Sequence, residues 1–272
     1  MTRRRPLLLA GLAGLVGTTA ALAQQRKSLT DPLRLGVDLA LVESGLAQSL
    51  QRGFGRDTGI AVQLVPGPAL PLLDALERGE LDAALSNAPD AEAKLATQGL
   101  VHDRRVVAMA GLVLVGPAPK GKLADPAAVA GSRDIADALQ RIAAAAAVPD
   151  TLQFLSAGDG SGTHAAEQAL WRAAKLAPSA PWYAALGKGA NLAAQARVRG
   201  AYALVERGSW AALGGAPLAV LVEGDPLLDV PVHVMRAFRI NHPAGKIFVG
   251  WITGPKGARV VAAQRGYRAP TR

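Results

Sequence analysis

A glycine-rich run, GDGSGT (158–163), stands directly before a helical pattern and is the first candidate for chemistry. The first turn of a helix leaves several backbone N–H groups without partners, and the helix dipole makes that end attractive to an anion. Glycines allow the backbone to approach a ligand closely, and Ser and Thr hydroxyls add hydrogen-bond donors. We therefore predict ligand contacts from Gly158, Asp159, Ser161, Gly162 and Thr163.

Two other interpretations of this run stay open. Asp159 or Ser161 can be a plain N-cap, with Glu167 in the first turns of the helix. Ser161 can also be a catalytic nucleophile, but GDGSG differs from the G-x-S-x-G pattern because Asp159 stands two residues before the serine. No acid and histidine follow in the usual order, and His164 is expected to be a surface or hydrogen-bonding residue rather than a base. We therefore predict that the protein is not an enzyme.

The composition excludes several kinds of site. The chain has 272 residues and no cysteine, so it contains no disulfide, thiolate metal site or cysteine nucleophile. Its 4 histidines have no metal-ligand spacing, and we predict neither a metal site nor a cofactor. The net charge of +9 favours anionic partners, but the basic residues are dispersed and aromatic residues make up only 4%. We predict no binding to nucleic acid.

The amino-terminal residues predict export. A basic segment, MTRRR, precedes the apolar run PLLLAGLAGLVGTTAA, and ALA (21–23) is a small-residue cleavage signal. This order is typical of a secretory signal peptide, and the apolar run is short for a membrane span. We predict a signal peptide over 1–23, a mature chain beginning at Gln24, and a periplasmic location. The Sec route and, because of the arginine run, the twin-arginine route both remain open, as does an uncleaved anchor.

Apolar periodicity predicts two successive α/β units. Strands are predicted at 33–37, 60–65, 81–86, 105–117, 152–156, 201–205, 218–224 and 230–238. Helices are predicted at 44–59, 70–80, 89–100, 132–148, 163–176, 192–198, 243–254 and 255–266. Alternation of strands and helices indicates an α/β fold with parallel strands.

The apolar run RVVAMAGLVLVGP (105–117) is longer than the other predicted strands. It is either a buried central strand or a strand that crosses from one lobe to another. Because the chain returns with a further strand after residue 229, we predict two lobes with a cleft between them. Residues 30–110 and 230–272 would form a discontinuous lobe 1, and residues 111–229 would form lobe 2.

Several motifs occur in a specific order along the chain. They are ESGL (43–46), GELDAALSNAPDAE (79–92), RR (104–105), GDGSGTHAAEQALW (158–171), WYAALGKG (182–189), AYALVERGSW (201–210) and GKIFVGWITGPKGARVV (245–261). In these motifs the chain resembles the tungstate-binding family, the receptor subunits of tungstate ABC importers, over nearly its whole mature length. The resemblance implies a type II periplasmic-binding-protein fold, a tungstate-like or molybdate-like anion as ligand, and an inner-membrane ABC permease as partner.

Three positions depart from that family's usual pattern. Family members usually carry Thr and Ser directly after the first strand, where this chain has Val37–Leu41. They usually carry an Arg before the Gly-Asp motif, where this chain has Ala157. The crossing strand usually has polar residues near its middle, where this chain has Met109, Ala110 and Gly111. An oxyanion removed from water needs donors and positive charge, so we expect an altered ligand site with weak affinity for tungstate.

The resemblance also implies that a ligand lies between the lobes, opposite the loop after the first strand. We therefore predict ligand contacts from Asp38, Leu39 and Ala40. We expect Asp38 to face the amino end of the helix after GDGSGT, where its carboxylate can hold the lobes together without a ligand. The alternatives for Asp38 are a contact with an amine or a metal-bound ligand, an N-cap, or an exposed loop acid. Lys188 is a candidate cation for the site or an exposed loop residue. The pair Trp182 and Tyr183 either lines the cleft or packs in the interior.

Two classes of function follow from these expectations. The first is a solute receptor that delivers a small oxyanion, or a changed small ligand, to an ABC permease. The second is a degenerate receptor fold that acts as an interaction or sensory module without a tightly bound oxyanion.

Overall fold

The structure is a computed structural model that describes residues 27–119 and 125–270. The predicted signal peptide, 1–23, lies outside the described residues. The strands are β1 (Leu33–Asp38), β2 (Val62–Gly67), β3 (Ala83–Ser86), β4 (Val101–Pro117), β5 (Phe154–Ser156), β6 (Tyr183–Ala185), β7 (Tyr202–Glu206), β8 (Leu218–Val222), β9 (Asp229–Ala237) and β10 (Tyr267–Arg268). The helices are α1 (Leu39–Glu43), α2 (Leu46–Thr58), α3 (Ala69–Arg78), α4 (Pro89–Thr97), α5 (Ile135–Ala145), α6 (Gly162–Ala173), α7 (Leu192–Arg199), α8 (Arg207–Leu213), α9 (Pro243–Thr253) and α10 (Pro255–Ala262). A short 3₁₀ helix covers Pro226–Leu228.

The strands form two groups that share β4. In the first strand group, β1 is parallel to β2 and β3, β3 is antiparallel to β9, and β9 and β10 are antiparallel to β4. In the second strand group, β5 is parallel to β6 and β7, and β7 and β8 are antiparallel to the carboxyl end of β4. The order along the sheet is β2-β1-β3-β9-β4-β7-β5-β6, with β8 and β10 also pairing with β4.

The length of β4 follows from its two sets of partners. From Val101 to Gly111 it pairs with β9, and from Leu112 to Pro117 it pairs with β7 and β8. The apolar run at 105–117 is therefore central, and it is buried or partly buried from Val107 onward. It also runs from one strand group into the other. The strand begins at Val101 rather than Arg105, because Val101 and His102 already pair with β9.

Helices cover both faces of each strand group, which explains why the strands are apolar on both sides. Successive side chains of a strand point to opposite faces. In β4, Leu112 and Leu114 pack in a core with α5 and α6, whereas Val113 and Val115 pack in a different core with α7 and α8. In the first strand group, one core lies against α2, α9 and α10, and the other lies against α3 and α4.

The predicted long helices and apolar strands are all present, with bounds that differ by a few residues. The elements that the sequence patterns did not predict are short: α1, α8, β6, β10 and the 3₁₀ helix. Of the residues the structure describes, no helix combines the length and the apolar character that crossing a membrane requires.

Candidate functional site

The loop between β5 and α6 presents the amino end of α6 at the junction of the two strand groups. Ser161 is the N-cap, and its Oγ accepts a hydrogen bond from His164 N at 3.2 Å. Asp159 is not the cap; its Oδ1 accepts from Ser161 N at 2.9 Å. Gly158 has a φ of +62°, and a Cβ there would lie 2.7 Å from the Cβ of Ala185, so the turn requires glycine at this position.

Asp38 joins the end of β1 to this helix. It is fully buried, and its Oδ1 accepts from Ala40 N at 3.1 Å, which makes it the N-cap of α1. Its Oδ2 accepts from Gly162 N, in the first turn of α6, at 3.0 Å. The predicted contact between Asp38 and the amino end of this helix is confirmed. Burial raises the pKa of Asp38 to about 6, and the two amide hydrogen bonds offset part of that effect.

Groups of the protein occupy most of the N–H donors that the glycine-rich run was predicted to offer a ligand. Gly160 N donates to His164 Nδ1 at 3.2 Å, Ser161 N donates to Asp159, and Gly162 N donates to Asp38. The expectation that His164 is a hydrogen-bonding residue is confirmed. The amino end of α6 is therefore a cradle for anionic oxygens, and the oxygens in it belong to two aspartates of the chain.

A second buried carboxylate, Glu206, lies at the end of β7 and is 1% exposed. Asn87 Nδ2 donates to its Oε2 at 3.0 Å, and the Tyr267 hydroxyl donates to its Oε1. Burial raises the pKa of Glu206 to about 8, and the nearby Asp38 contributes to the rise. Sequence reasoning missed Glu206, although an acid that ends the apolar strand AYALVE is a visible signal of a buried polar role.

Further hydrogen bonds join the two strand groups around these acids. The Leu70 amide, in α3, donates to the Gly160 carbonyl at 3.0 Å. Ser209 Oγ donates to the Ala40 carbonyl at 3.1 Å. On the exposed side, Asn191 Nδ2 donates to Glu43 Oε1 at 2.8 Å. The contacts are polar and come from loops and helix ends, which is the usual composition of a cleft that can open.

A cavity of about 40 Å³ lies within this junction. Roughly 10–15 Å³ suffices for one water molecule, so the space has room for a few waters or one small head group. It is lined by Leu39, Ala40, Glu43, Ala157, Asp159, Ser161, Thr163, Ala190, Leu192, Ala193, Val205, Glu206 and Ser209. None of these lining residues, all within the described ranges, is a lysine, an arginine or a histidine.

The structure brings most of the sequence-predicted residues to this cavity. Leu39, Ala40, Asp159, Ser161 and Thr163 line it. Three of the predicted residues lie beside the cavity without lining it: Asp38, Gly158 and Gly162.

Lys188 is exposed and does not line the cavity, whereas Ala190, two residues later, does. The structure therefore does not bring Lys188 into this set. Within the part of the chain that the structure describes, no group of three or more His, Asp or Glu side chains has an arrangement that could hold a metal ion.

Trp182 and Tyr183 pack in the second strand group and do not line the cavity. The ring of Trp182 is 5.9 Å from that of Trp171, and the ring of Tyr183 is stacked 5.9 Å from Phe154. The Tyr183 hydroxyl donates to Glu167 at 2.7 Å. Glu167 is 1% exposed, so it is an interior acceptor and not part of the helix cap.

The sequence of the chain is similar to those of an anion-binding and a tungstate-binding protein. It is 29% identical over 245 residues to a putative ABC transporter anion-binding protein of Haloferax volcanii, covering 86% of this chain and 69% of that protein. It is 29% identical over 239 residues to the tungstate-binding protein TupA of Peptoclostridium acidaminophilum, covering 84% of this chain and 80% of that protein.

Solved structures show the same architecture. The tungstate ABC transporter from Geobacter sulfurreducens superposes with a TM-score of 0.73 at 27% identity, covering 85% of this chain and 98% of that one. The tungstate-binding protein TupA from Desulfovibrio alaskensis superposes with a TM-score of 0.69 at 27% identity, covering 89% and 100%. These matches confirm the predicted two-lobed α/β fold of the type II periplasmic binding proteins and the resemblance to the tungstate-binding family.

A family model described as a PBP superfamily domain matches residues 40–237, which include β4, the loop before α6 and Glu206. Proteins of this kind are substrate-binding components of transporters, which agrees with the prediction that the chain is not an enzyme. The chain belongs to the PBP superfamily-domain family.

Proposed function

We propose that the protein is an extracytoplasmic solute-binding protein of an ABC importer whose ligand site differs from that of its tungstate-binding relatives. The family match and the names of the relatives, an ABC transporter anion-binding protein and tungstate-binding proteins, support the receptor role. An inner-membrane ABC permease is the partner that this role requires, and the periplasm is the compartment.

The proposed lobes follow the two strand groups. Residues 30–110 and 230–272 would form lobe 1, and residues 111–229 would form lobe 2. Four apolar cores support this division, because two of them draw on the first strand group and two on the second. The proposed ligand cleft is the junction that contains the cavity, Asp38 and the amino end of α6.

The observation that carries the altered site is the hydrogen bond from Gly162 N to Asp38. The carboxylate of Asp38 accepts the Gly162 N–H and offsets the positive end of the α6 dipole. An oxyanion bound there would use the same N–H group and the same positive end. A second acid, Asp159, takes the adjacent amide. Ala157 lines the cavity where a counter-charge was expected from the family pattern. An oxyanion in this cleft would therefore meet carboxylates and no basic lining residue.

The test is calorimetry of tungstate and molybdate with the purified protein and with the double variant Asp38→Thr and Ala157→Arg. We expect weak or no binding by the unchanged protein. The double variant should bind tungstate more tightly by about tenfold or more, because it removes a repelling charge and adds a charged hydrogen-bond donor. Nanomolar affinity of the unchanged protein would contradict the altered site, and no gain in the double variant would show that the cleft differs at more than these two side chains.

The contact between Asp38 and α6 also favours a second candidate function. A cleft that is held together by its own carboxylate can persist without a ligand, as an interaction or sensory module would need. Co-purification separates the two candidates. A receptor should be recovered with a permease and its ATPase after cross-linking, whereas a module should be recovered with a different membrane protein.

A further inference from the structure

A second cavity, of about 430 Å³, lies between the helices α2 and α10 of the first strand group. It shares no lining residue with the cavity at the junction of the strand groups. Its charged lining residues are four cations and one acid: Arg52, Arg56, Lys256, Arg259 and Asp57. We call this cavity the basic groove.

The two helices that form the basic groove run side by side in opposite directions. Three contacts fix their register: the hydrogen bond from Gln264 Nε2 to Ser49 Oγ at 3.0 Å, the ion pair of Lys256 Nζ with Asp57 Oδ2 at 3.8 Å, and the approach of Gly53 to Val260, whose Cγ2 would lie 3.3 Å from a Cβ at position 53. Each step of four residues forward along α2 therefore matches a step of four residues backward along α10.

This register places the four cations in two opposed pairs. Arg52 and Arg259 differ by two residues in their level along the helix axes, which is about 3 Å. Arg56 and Lys256 differ by one residue. The two pairs are separated by about one helical turn, roughly 5 Å. A ligand in the basic groove would therefore meet one cation from each helix at two successive levels.

The pair at one level is partly neutralised by the chain itself. Asp57 Oδ1 lies 3.3 Å from Arg56 Nε, and Asp57 Oδ2 accepts a hydrogen bond from Trp251 Nε1 at 2.9 Å. The hydrogen bond from Trp251 lowers the pKa of Asp57, and the charges of Lys256 and Arg56 add to this effect. A single carboxylate therefore serves two cations at this level.

The pair at the other level has no counter-charge in the described chain. Arg52 donates to the Ser49 hydroxyl at 3.3 Å, which is a neutral acceptor. Within residues 27–119 and 125–270, neither Arg52 nor Arg259 forms an ion pair with a carboxylate. Both side chains are exposed. Positive charge concentrated in a recess attracts groups of the opposite charge, so the basic groove is complementary to an acidic partner.

We propose that the basic groove is a docking site for an acidic segment of a partner protein, whose successive carboxylates pair with the two levels of cations. The proposal goes beyond the receptor role, because this surface is separate from the ligand cleft. A guanidinium group binds a carboxylate through two parallel hydrogen bonds, which gives such a pair both strength and a defined geometry. Acidic residues three or four positions apart on a helix have Cβ atoms about 5–6 Å apart, which matches the separation of the two levels.

The surroundings of the basic groove favour a protein segment over a lipid surface. Helices that bind a membrane surface combine basic residues with large apolar side chains that enter the lipid. Among the described residues, none of the exposed large apolar side chains lies on α2 or α10. The cations also line a recess, which a narrow polypeptide segment can enter and a flat bilayer surface cannot.

The experiment measures the binding of a fluorescent octaglutamate peptide to the purified protein by fluorescence anisotropy. Octaglutamate should bind saturably, whereas the uncharged octaglutamine peptide should not bind. Affinity for octaglutamate should fall by about tenfold or more as the NaCl concentration is raised from about 0.05 to about 0.3 M, because salt screens exposed charges. Inorganic phosphate and vesicles that contain phosphatidylglycerol are tested in parallel.

Variants assign the binding to the basic groove. The double variant Arg52→Gln and Arg259→Gln should weaken octaglutamate binding by about tenfold or more. Ala263→Glu, which adds a carboxylate to the exposed lining residue Ala263, should also weaken it. The matched control is the double variant Arg133→Gln and Arg199→Gln, which removes the same charge from two exposed positions of the second strand group and should leave the affinity unchanged. Melting curves show whether each variant folds.

Loss of octaglutamate binding in the groove variants, with unchanged binding in the control, would support the docking site. Equal losses in the two double variants would show that the peptide responds to net charge, and this result would refute the proposal. Binding to the vesicles or to phosphate, without binding to octaglutamate, would refute a protein partner and assign the basic groove to a lipid head group or a small anion. No binding of any of these probes would also overturn the proposal.

Discussion

Asp38 and Glu206 are carboxylates placed where water scarcely reaches, and hydrogen bonds from the chain take the place of that water. Asp38 receives two backbone amides, and Glu206 receives Asn87 and Tyr267. Such bonds offset only part of the cost of burying a charge, so the protonated form of each acid is favoured relative to solution. One atom in this network has no partner, since Asn87 Oδ1 is buried without a hydrogen bond.

The raised pKa of Glu206 predicts how stability depends on pH. Its ordinary value is 4.5 and its folded value is about 8, so between these values the folded state keeps a proton that the unfolded state loses. The contribution of protonated Glu206 to the free energy of unfolding is therefore fully present below pH 4.5 and is lost as the pH rises towards 8. Relative to the unchanged protein, Glu206→Gln should gain stability over that interval, by roughly 1–3 kcal/mol at pH 8.5. The side-chain amide introduced by Glu206→Gln can also donate to Asn87 Oδ1, which is otherwise without a partner.

Urea unfolding of both proteins at pH 5 and pH 8.5 measures this effect. The two proteins should be nearly equal at pH 5 and should separate at pH 8.5. A difference that does not change with pH would show that Glu206 titrates normally.

At the scale of the elements, local patterns predicted the long helices and the apolar strands but not the short elements. The helix α5 is amphipathic and the strand β4 is apolar from Val106 to Pro117, so each is visible in its own residues. The two-residue strand β10 exists because Tyr267 and Arg268 pair with β4, far away in sequence. The same reason applies to the site. The glycine-rich run and Asp38 were predicted, whereas Glu206 acquires its role from partners that are 61 and 119 residues away.

The link between β6 and α6 is one place where a single hydroxyl supports an element. Tyr183, in β6, donates to the buried Glu167 of α6, and Trp171 Nε1 donates to the same oxygen at 3.0 Å. Tyr183→Phe should destabilise the protein by about 1–2 kcal/mol, because Glu167 loses one of its donors without gaining water. Chemical denaturation measures the change. The double variant with Glu167→Gln should recover part of the loss, and additive effects of the two changes would show that the residues are not coupled.

At the scale of the whole molecule, the two strand groups pack tightly where Gly162 meets Asn87. A Cβ at position 162 would lie 1.8 Å from Asn87 Oδ1 and 2.8 Å from the Asn87 carbonyl oxygen. These two residues belong to the two proposed lobes. The absence of a side chain at position 162 therefore allows the cleft to close as far as it does.

Gly162→Ala should force the proposed lobes apart. We expect a larger radius of gyration in small-angle X-ray scattering and a stability loss of roughly 1–3 kcal/mol, the usual range for an overpacked contact. Gly250→Ala is the matched control, because Gly250 lies inside α9 and a Cβ there meets nothing within 4 Å. The control should keep the radius unchanged and gain up to about 1 kcal/mol from better helix propensity. An unchanged radius for Gly162→Ala would mean that Asn87 moves aside within a closed cleft.

The position of β9 between β3 and β4 also determines when the first strand group can fold during synthesis. β3 ends at Ser86, but its partner β9 begins only at Asp229, and α9, α10 and β10 follow later still. The chain is synthesised from its amino end, so β1, β2 and β3 are made before the second strand group. The edge of β3 that pairs with β9 stays unpaired during this time. An unpaired strand edge invites pairing with other chains. Chaperones must therefore cover the unpaired edge of β3 in the nascent protein until β9 has been made. A stop codon just before β9 would leave the edges of both β3 and β4 without their partner strand and open to pairing with other chains.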